Sequence, residues 1–246
     1  MSKKGQEKIY QRGSAASEIC DELRKEILTH ELKPGTTLDE TGLSQRFNVS
    51  RSPIREALNR LVAERLVENL PNRSTIVAKV DLENFPSFIE VFDLQQRYAT
   101  RLAARNRTSA DMLRLRELAK AFDAAVKAYD HLSIMQTNYE FHLAVAEAGK
   151  NPYLVRQYRE MLSEARRYLH IHVKSLEARN EKAVLRGHHR DFLSAIEARD
   201  VESADAIAHE HTMRFHDRFL DALRTTPDKA FSLEVPLGNP ANKKSA

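Results

Sequence analysis

The sequence predicts a mainly α-helical chain in two parts: three short helices closed by a two-strand hairpin, then an all-helical bundle of about six helices. Three observations carry this. From about Glu83 to Arg224 apolar residues recur at helical spacing with almost no alternating strand pattern. Outside the C-terminal tail only Leu66 to Asn69 and Thr75 to Val80 read as strands, and Leu70-Pro71-Asn72-Arg73-Ser74 between them signals a hairpin. Glycine is scarce, at 7 in 246 residues, and 41% hydrophobic with 30% charged residues is ordinary globular composition with room for two domains.

In chain order, residues 1–13 are polar and lysine-rich and read as a flexible tail, and a first domain follows over 14–80. Glu18 to Leu28 puts Ile19, Leu23, Ile27 and Leu28 on one helical face, and Pro34-Gly35 turns the chain. A second short helix follows Asp39, with Leu43 and Phe47 inward. Asn48-Val49-Ser50 then makes a tight turn into a third helix, with Ser50 as N-cap, Pro53 in the first turn and Ile54, Ala57, Leu58, Leu61 and Val62 as the buried stripe. The second domain, 81–226, breaks at Asn106 to Ser109, Tyr129 to His131, Gly149 to Pro152, Ser175 to Asn180 and Arg199-Asp200. At the third break Gly149 is expected in the left-handed cap position, with Asn151 as N-cap and Pro152 as the first helical residue. Pro227, Pro236, Gly238 and Pro240 make 227–246 an irregular tail.

Composition excludes several classes. No run approaches the ~18 apolar residues needed to span a bilayer, and Met1 to Gln11 lacks an apolar signal core, so no membrane partner and a cytoplasmic location are expected. The single cysteine, Cys20, forms no intramolecular disulfide and reads as a packed thiol beside Ile19. The net charge is +4. Its excess lies in residues 1–80, with 14 Lys and Arg against 11 Asp and Glu, whereas the remainder is nearly balanced at 25 against 24. A basic head suits a nucleic-acid partner.

The spacing of the first three helices is that of a helix-turn-helix, with the third in the recognition position. Its buried stripe leaves Arg51, Ser52, Arg55 and Asn59 outward. Arginine bridges O6 and N7 of guanine through two hydrogen bonds, and the hydroxyls of Ser50 and Ser52 reach phosphates, so one exposed turn can both read and anchor DNA. The run Leu32-Lys33-Pro34-Gly35, Leu38-Asp39-Glu40, Val49-Ser50-Arg51-Ser52-Pro53-Ile54-Arg55-Glu56-Ala57-Leu58, Arg60-Leu61, Glu64-Arg65-Leu66-Val67 and Pro71-Asn72-Arg73 closely resembles the DNA-binding domain of the GntR family. That resemblance implies a winged helix-turn-helix in which Arg51 and Arg55 contact bases and phosphates. By the same resemblance Thr41 lies where the second helix nears the DNA backbone, and the wing tip with Arg73 approaches the minor groove. Arg65 and Ser74 stand where the family pattern has glycine.

Ten histidines are many for this length. Asn138 and His142, four apart, share one helical face; His189 opens a later helical run and His211 lies one helix further on. Three imidazoles facing one cavity would make a divalent-metal site with open positions. Residues 81–224 resemble the FCD domain of FadR-type GntR regulators, an all-helical effector-binding and dimerising bundle, and about six helices resemble its VanR-like branch. The resemblance implies a homodimer that binds an inverted-repeat operator, represses transcription and answers to a small organic acid. It also implies zinc or nickel held by His142, His189 and His211, with Asn138 standing where the family has aspartate. Phe92 and Gln96 stand where the family has arginine and glutamate, and an arginine there would pair with an effector's carboxylate. The resemblance therefore implies either a different effector or another cation, with Arg97, Arg101, Arg166 and Arg167 as unranked candidates that each also read as a solvated helix face. Two other functions are weighed: a regulator answering to the metal itself, and a metal-dependent hydrolase. The first lacks thiolates apart from Cys20, and the second lacks a general base in a motif such as HExxH.

Overall fold

A computed structural model describes residues 14–29, 31–71 and 74–225. The tails expected over 1–13 and 227–246, and Arg73 at the wing tip, lie outside the described residues. The head comprises α1 (Ala15–Leu28), α2 (Glu40–Phe47), α3 (Arg51–Ala63), β1 (Val67–Asn69) and β2 (Thr75–Val77). Ile19, Leu23, Ile54 and Leu61 are fully buried at its centre, the faces that the helical spacing picks out. Cys20 is buried among them, and burial raises its thiol pKa, as expected of a packed rather than reactive cysteine.

The turns follow from side-chain chemistry. Asp39 caps α2 by accepting the Gly42 N–H at 2.6 Å. Asn48 ends α2 in the left-handed region (φ 50), where asparagine is tolerated, and so aims the chain into α3. Ser50 stands at the N-cap of α3 but makes no side-chain capping bond, so its exposed hydroxyl is not consumed by the helix. Gly35 adopts φ +82, and its N–H donates to Val77 O at 2.8 Å, tying the turn after α1 to the hairpin. The strands are antiparallel with Val67 opposite Val77 and Asn69 opposite Thr75.

Six further α-helices follow: α4 (Phe85–Asn106), α5 (Ser109–Ala128), α6 (His131–Ala148), α7 (Pro152–Ala178), α8 (Arg190–Ala198) and α9 (Val201–Thr225), with a 3-10 turn (Lys182–Leu185) before α8. Thr108 and Asp111 form a reciprocal capping box at α5, and Asn151 accepts the N–H groups of Tyr153 and Leu154 at 3.1 and 3.2 Å at α7. Gly149 corrects the expectation. It is right-handed (φ −69), and Lys150 takes the left-handed position (φ 59). A Cβ at Gly149 would lie 2.9 Å from Leu102 Cβ, so glycine is required by the close approach of α6 to α4 rather than by its own dihedral.

Helix α4 lies against α6, α8 and α9. Gln96, buried where the family pattern has glutamate, donates to Ala208 O and Thr212 Oγ1 at 3.0 and 2.9 Å and accepts from Tyr158 at 3.1 Å. Its amide therefore ties three helices together. The head does not stand apart: Met135 of α6 belongs to the head's apolar core with Leu169 of α7 packed on it, and Arg167 donates to Ala78 O at 2.9 Å.

Candidate functional site: a basic recognition helix and a buried imidazole cluster

The first site is the outer face of α3. Ile54, Ala57, Leu58 and Leu61 face the core, and by helical geometry Arg51, Ser52, Arg55 and Asn59 are turned outward and exposed. Thr41 sits half-buried in the first turn of α2, beside Glu40 and behind the Asp39 cap. Arg51 makes no hydrogen bond or ion pair among the described residues. Arg55 is held bidentately by Glu40 of α2, with Nε at 3.0 Å and Nη2 at 2.9 Å from its carboxylate, and this contact lowers the Glu40 pKa. The spacing gave no sign of that pair. Exposed ion pairs contribute only about 0–1 kcal/mol, so a phosphate can displace Glu40.

The second site is a cavity of about 50 Å³ inside the helical domain. Three of the expected residues, Asn138, His142 and His211, line it. His189 joins from the start of α8: its Nε2 lies 3.2 Å from Asn138 Oδ1, and its ring stacks on Phe141 at 3.9 Å. Ring centroids of His142 lie 5.2 Å from His189 and 5.0 Å from His211, so the four residues are gathered from α6, the N-cap of α8 and α9.

Burial dominates the electrostatics. It lowers the pKa of His142 to about 3 and those of His189 and His211 well below the ordinary value, so all three are neutral at physiological pH. The Nδ1 atoms of His189 and His211 are buried without a hydrogen-bond partner. Neutral imidazole with a free nitrogen is the ligand form for a divalent ion, and 3.2 Å is about the separation of two ligand atoms each ~2.1 Å from one metal. The donor chemistry therefore fits a metal. The arrangement is less complete: among the described residues no group of three or more His, Cys, Asp or Glu is set to hold one.

Sequence reasoning missed three residues in this wall. His188, beside His189, packs its ring 4.4 Å from His211 and has an unpartnered Nε2; His172 and Arg218 line the same cavity. A signal existed, since His211, Phe215 and Arg218 are spaced at one helical face. The structure also separates the four candidate cations. Arg97 and Arg101 pair with Asp205 at 2.6 and 3.4 Å, and Arg167 is committed to the backbone of the head. Only Arg166 reaches the cavity.

Comparison with known proteins agrees with both halves. Residues 15–77 match the family described as bacterial regulatory proteins, gntR family, and residues 94–215 match the FCD domain. The chain is 33% identical to the HTH-type transcriptional regulator LutR of Bacillus subtilis over 52% of this chain and 65% of LutR. It is 24% identical to the HTH-type transcriptional regulator McbR of Escherichia coli, over 77% of this chain and 85% of McbR. The solved structure of E. coli McbR/YncC superposes with a TM-score of 0.69 at 24% identity, covering 86% of this chain and all of that one. A GntR regulator structure from Rhodococcus sp. RHA1 gives a TM-score of 0.65 at 21% identity, over 87% of this chain and 99% of that one. These relatives are transcription regulators rather than enzymes, and no helix among the described residues is long and apolar enough to cross a membrane. The chain belongs to the GntR family of DNA-binding regulatory proteins, with a helix-turn-helix head followed by an FCD domain.

Proposed function

We propose that the chain is a homodimeric repressor that binds a short inverted repeat through α3 and releases it when a small organic acid enters the cavity. The observation that carries this reading is the cavity itself: a largely apolar chamber whose wall also carries Arg166, Arg218 and neutral imidazoles, in the domain on which the head is packed. Repression is the role in the name of one relative, the transcriptional repressor GlaR of E. coli, 25% identical over 78% of this chain. Dimerisation is supported by α4, where Val91, Leu94 and Tyr98 form an outward stripe 46%, 63% and 49% exposed. Such a stripe suits an isologous two-fold contact, and two heads so related read a palindrome.

Zinc or nickel, if bound, would be held by His142, His189 and His211 with Asn138 as a neutral oxygen ligand, and would supply a positive centre for the acid. A metal-free reading is supported by the hydrogen-bonding distance between His189 Nε2 and Asn138 Oδ1, which the two side chains can hold without an ion. Metal analysis of untagged protein after zinc or nickel incubation decides: stoichiometric metal that disappears in His189→Ala supports the metal site, and none rules it out. Operator binding titrated with a panel of organic acids tests the whole. Release by an acid is expected; binding that no acid alters would overturn the effector reading.

A further inference from the structure

The cavity of the helical domain holds about 50 Å³, room for a few water molecules, whereas small-molecule pockets run to about 300–1,000 Å³. A ligand larger than water therefore enters only if part of the wall moves. Most of that wall belongs to packed helices. At the 3-10 turn it is pinned by Leu185, which is buried in one apolar cluster with Phe122, Ile134 and Val173. Toward the head the wall is thin. Tyr139 of α6 and Arg166 of α7 line the cavity on one side and, on the other, an open cleft of about 540 Å³ between the head and the helical domain. The Arg166 guanidinium, 6% exposed, stacks on the Tyr139 ring at 4.6 Å and donates to the exposed neutral amide of Gln136. Its Nε is buried without a partner, and it forms no ion pair with a carboxylate among the described residues. In the same cleft Glu64, the C-cap of α3, accepts two hydrogen bonds of 2.7 Å from Arg24 of α1. Burial lowers the Arg166 pKa, and Glu64 is the charge that most opposes that shift.

We propose that Tyr139 and Arg166 form a gate between the sensor cavity and the cleft beneath the head, and that on opening Arg166 turns into the cleft and draws Glu64 away from Arg24. This rests on the reading of the cavity as the ligand site and names the wall that yields. Moving outward, the guanidinium exchanges burial and a neutral amide for water and a carboxylate, so little opposes the motion. The Arg24–Glu64 pair fastens α1 to the C-terminal end of the recognition helix. Sharing Glu64 between two arginines therefore loosens α3 on its support. Gate opening and tight operator binding then oppose each other, and by linkage DNA holds the gate shut by the same factor that opening weakens DNA binding.

The test follows acylation of histidines by diethyl pyrocarbonate in the chelator-treated full chain, read residue by residue by mass spectrometry. The reporters are His142 and His211, buried and neutral in the cavity wall, with exposed His209 as the reference. In the wild type both should react at a rate independent of urea well below the unfolding transition, the mark of a local opening. An operator duplex selected from random sequence should slow them about fivefold or more. Tyr139→Ala should speed them about tenfold or more relative to His209, and Leu185→Ala should not. Arg166→Met should still open but lose the slowing by operator, while Arg166→Lys, which keeps the charge, should retain it. An arginine with only a structural role would change the rates and leave the operator effect in place. Reaction only through global unfolding, equal acceleration in Leu185→Ala, or undiminished operator slowing in Arg166→Met would overturn the inference. No effector enters these measurements. A gate that behaves as expected while no organic acid alters operator binding sinks the effector reading alone, and operator release by an acid with the gate silent sinks this one alone.

Discussion

The recognition helix and the sensor cavity both present arginine, but they hold it in opposite ways. Arg55 lies on the surface, where water solvates it and Glu40 meets it at 2.9 Å. Arg166 lies in the interior, where its partners are an amide and a ring. In water two unit charges 4 Å apart interact by about 1 kcal/mol, and in a low-dielectric interior by several times that. An exposed cation therefore waits at little cost and gains little from a stand-in partner. A buried one without a counter-ion costs the fold stability. The head's arginine is satisfied by solvent, whereas Arg166 has no carboxylate ion pair among the described residues.

The largest expected effect separates the two regions by pH. Burial holds His142 and His188 at about 3 and His172 at about 4, below the ordinary value of 6.5. The unfolded chain therefore takes up protons first: stability is full above about pH 6.5 and falls as pH drops toward 3, with a slope of about 1.4 kcal/mol per unit for each such histidine. Urea unfolding at about pH 7 and pH 5 should differ by several kcal/mol. A flat profile would mean that these rings are solvated and that the contrast between the regions is lost. On the exposed side, Arg51→Ala and Arg55→Ala should each weaken operator binding by roughly 1–3 kcal/mol without changing stability, measured by fluorescence anisotropy across salt. Equal losses on operator and random DNA would assign the residue to phosphate rather than base. The smallest effect sharpens the comparison most. Glu40→Gln should tighten operator binding by a few tenths of a kcal/mol by freeing Arg55, at almost no cost to folding, as befits an exposed pair; weaker binding would show that Glu40 pre-orients Arg55 for DNA instead.

The helices of the head were legible because their signals are local: Asp39, Asn48 and Pro53 each act within a turn of where they stand. The imidazole cluster was legible because Asn138 and His142 share a face and a known pattern placed His189 and His211. What remained hidden depends on distance in sequence. Glu40 reaches Arg55 across the turn between two helices, and Arg218 meets Arg166 in one wall only after α7 and α9 have packed. The role of Gly149 was misread for the same reason. Its neighbours suggested a left-handed cap that Lys150 takes instead, and the helix pressing on it, 47 positions earlier at Leu102, left no local sign.

The core shared by Met135, Leu169 and the head has a consequence for DNA geometry. A reading unit fastened by packing cannot adjust its reach as one on a flexible tether can. In the proposed two-fold pair the distance and angle between the two α3 helices would then be fixed by protein packing. With about 10–10.5 base pairs per turn, one inserted base pair moves a half-site by about 3.4 Å and turns it by about 35° around the duplex axis. The protein would sense that insertion as a phase error, and the spacer of the operator, although no side chain touches it, becomes part of the recognised sequence.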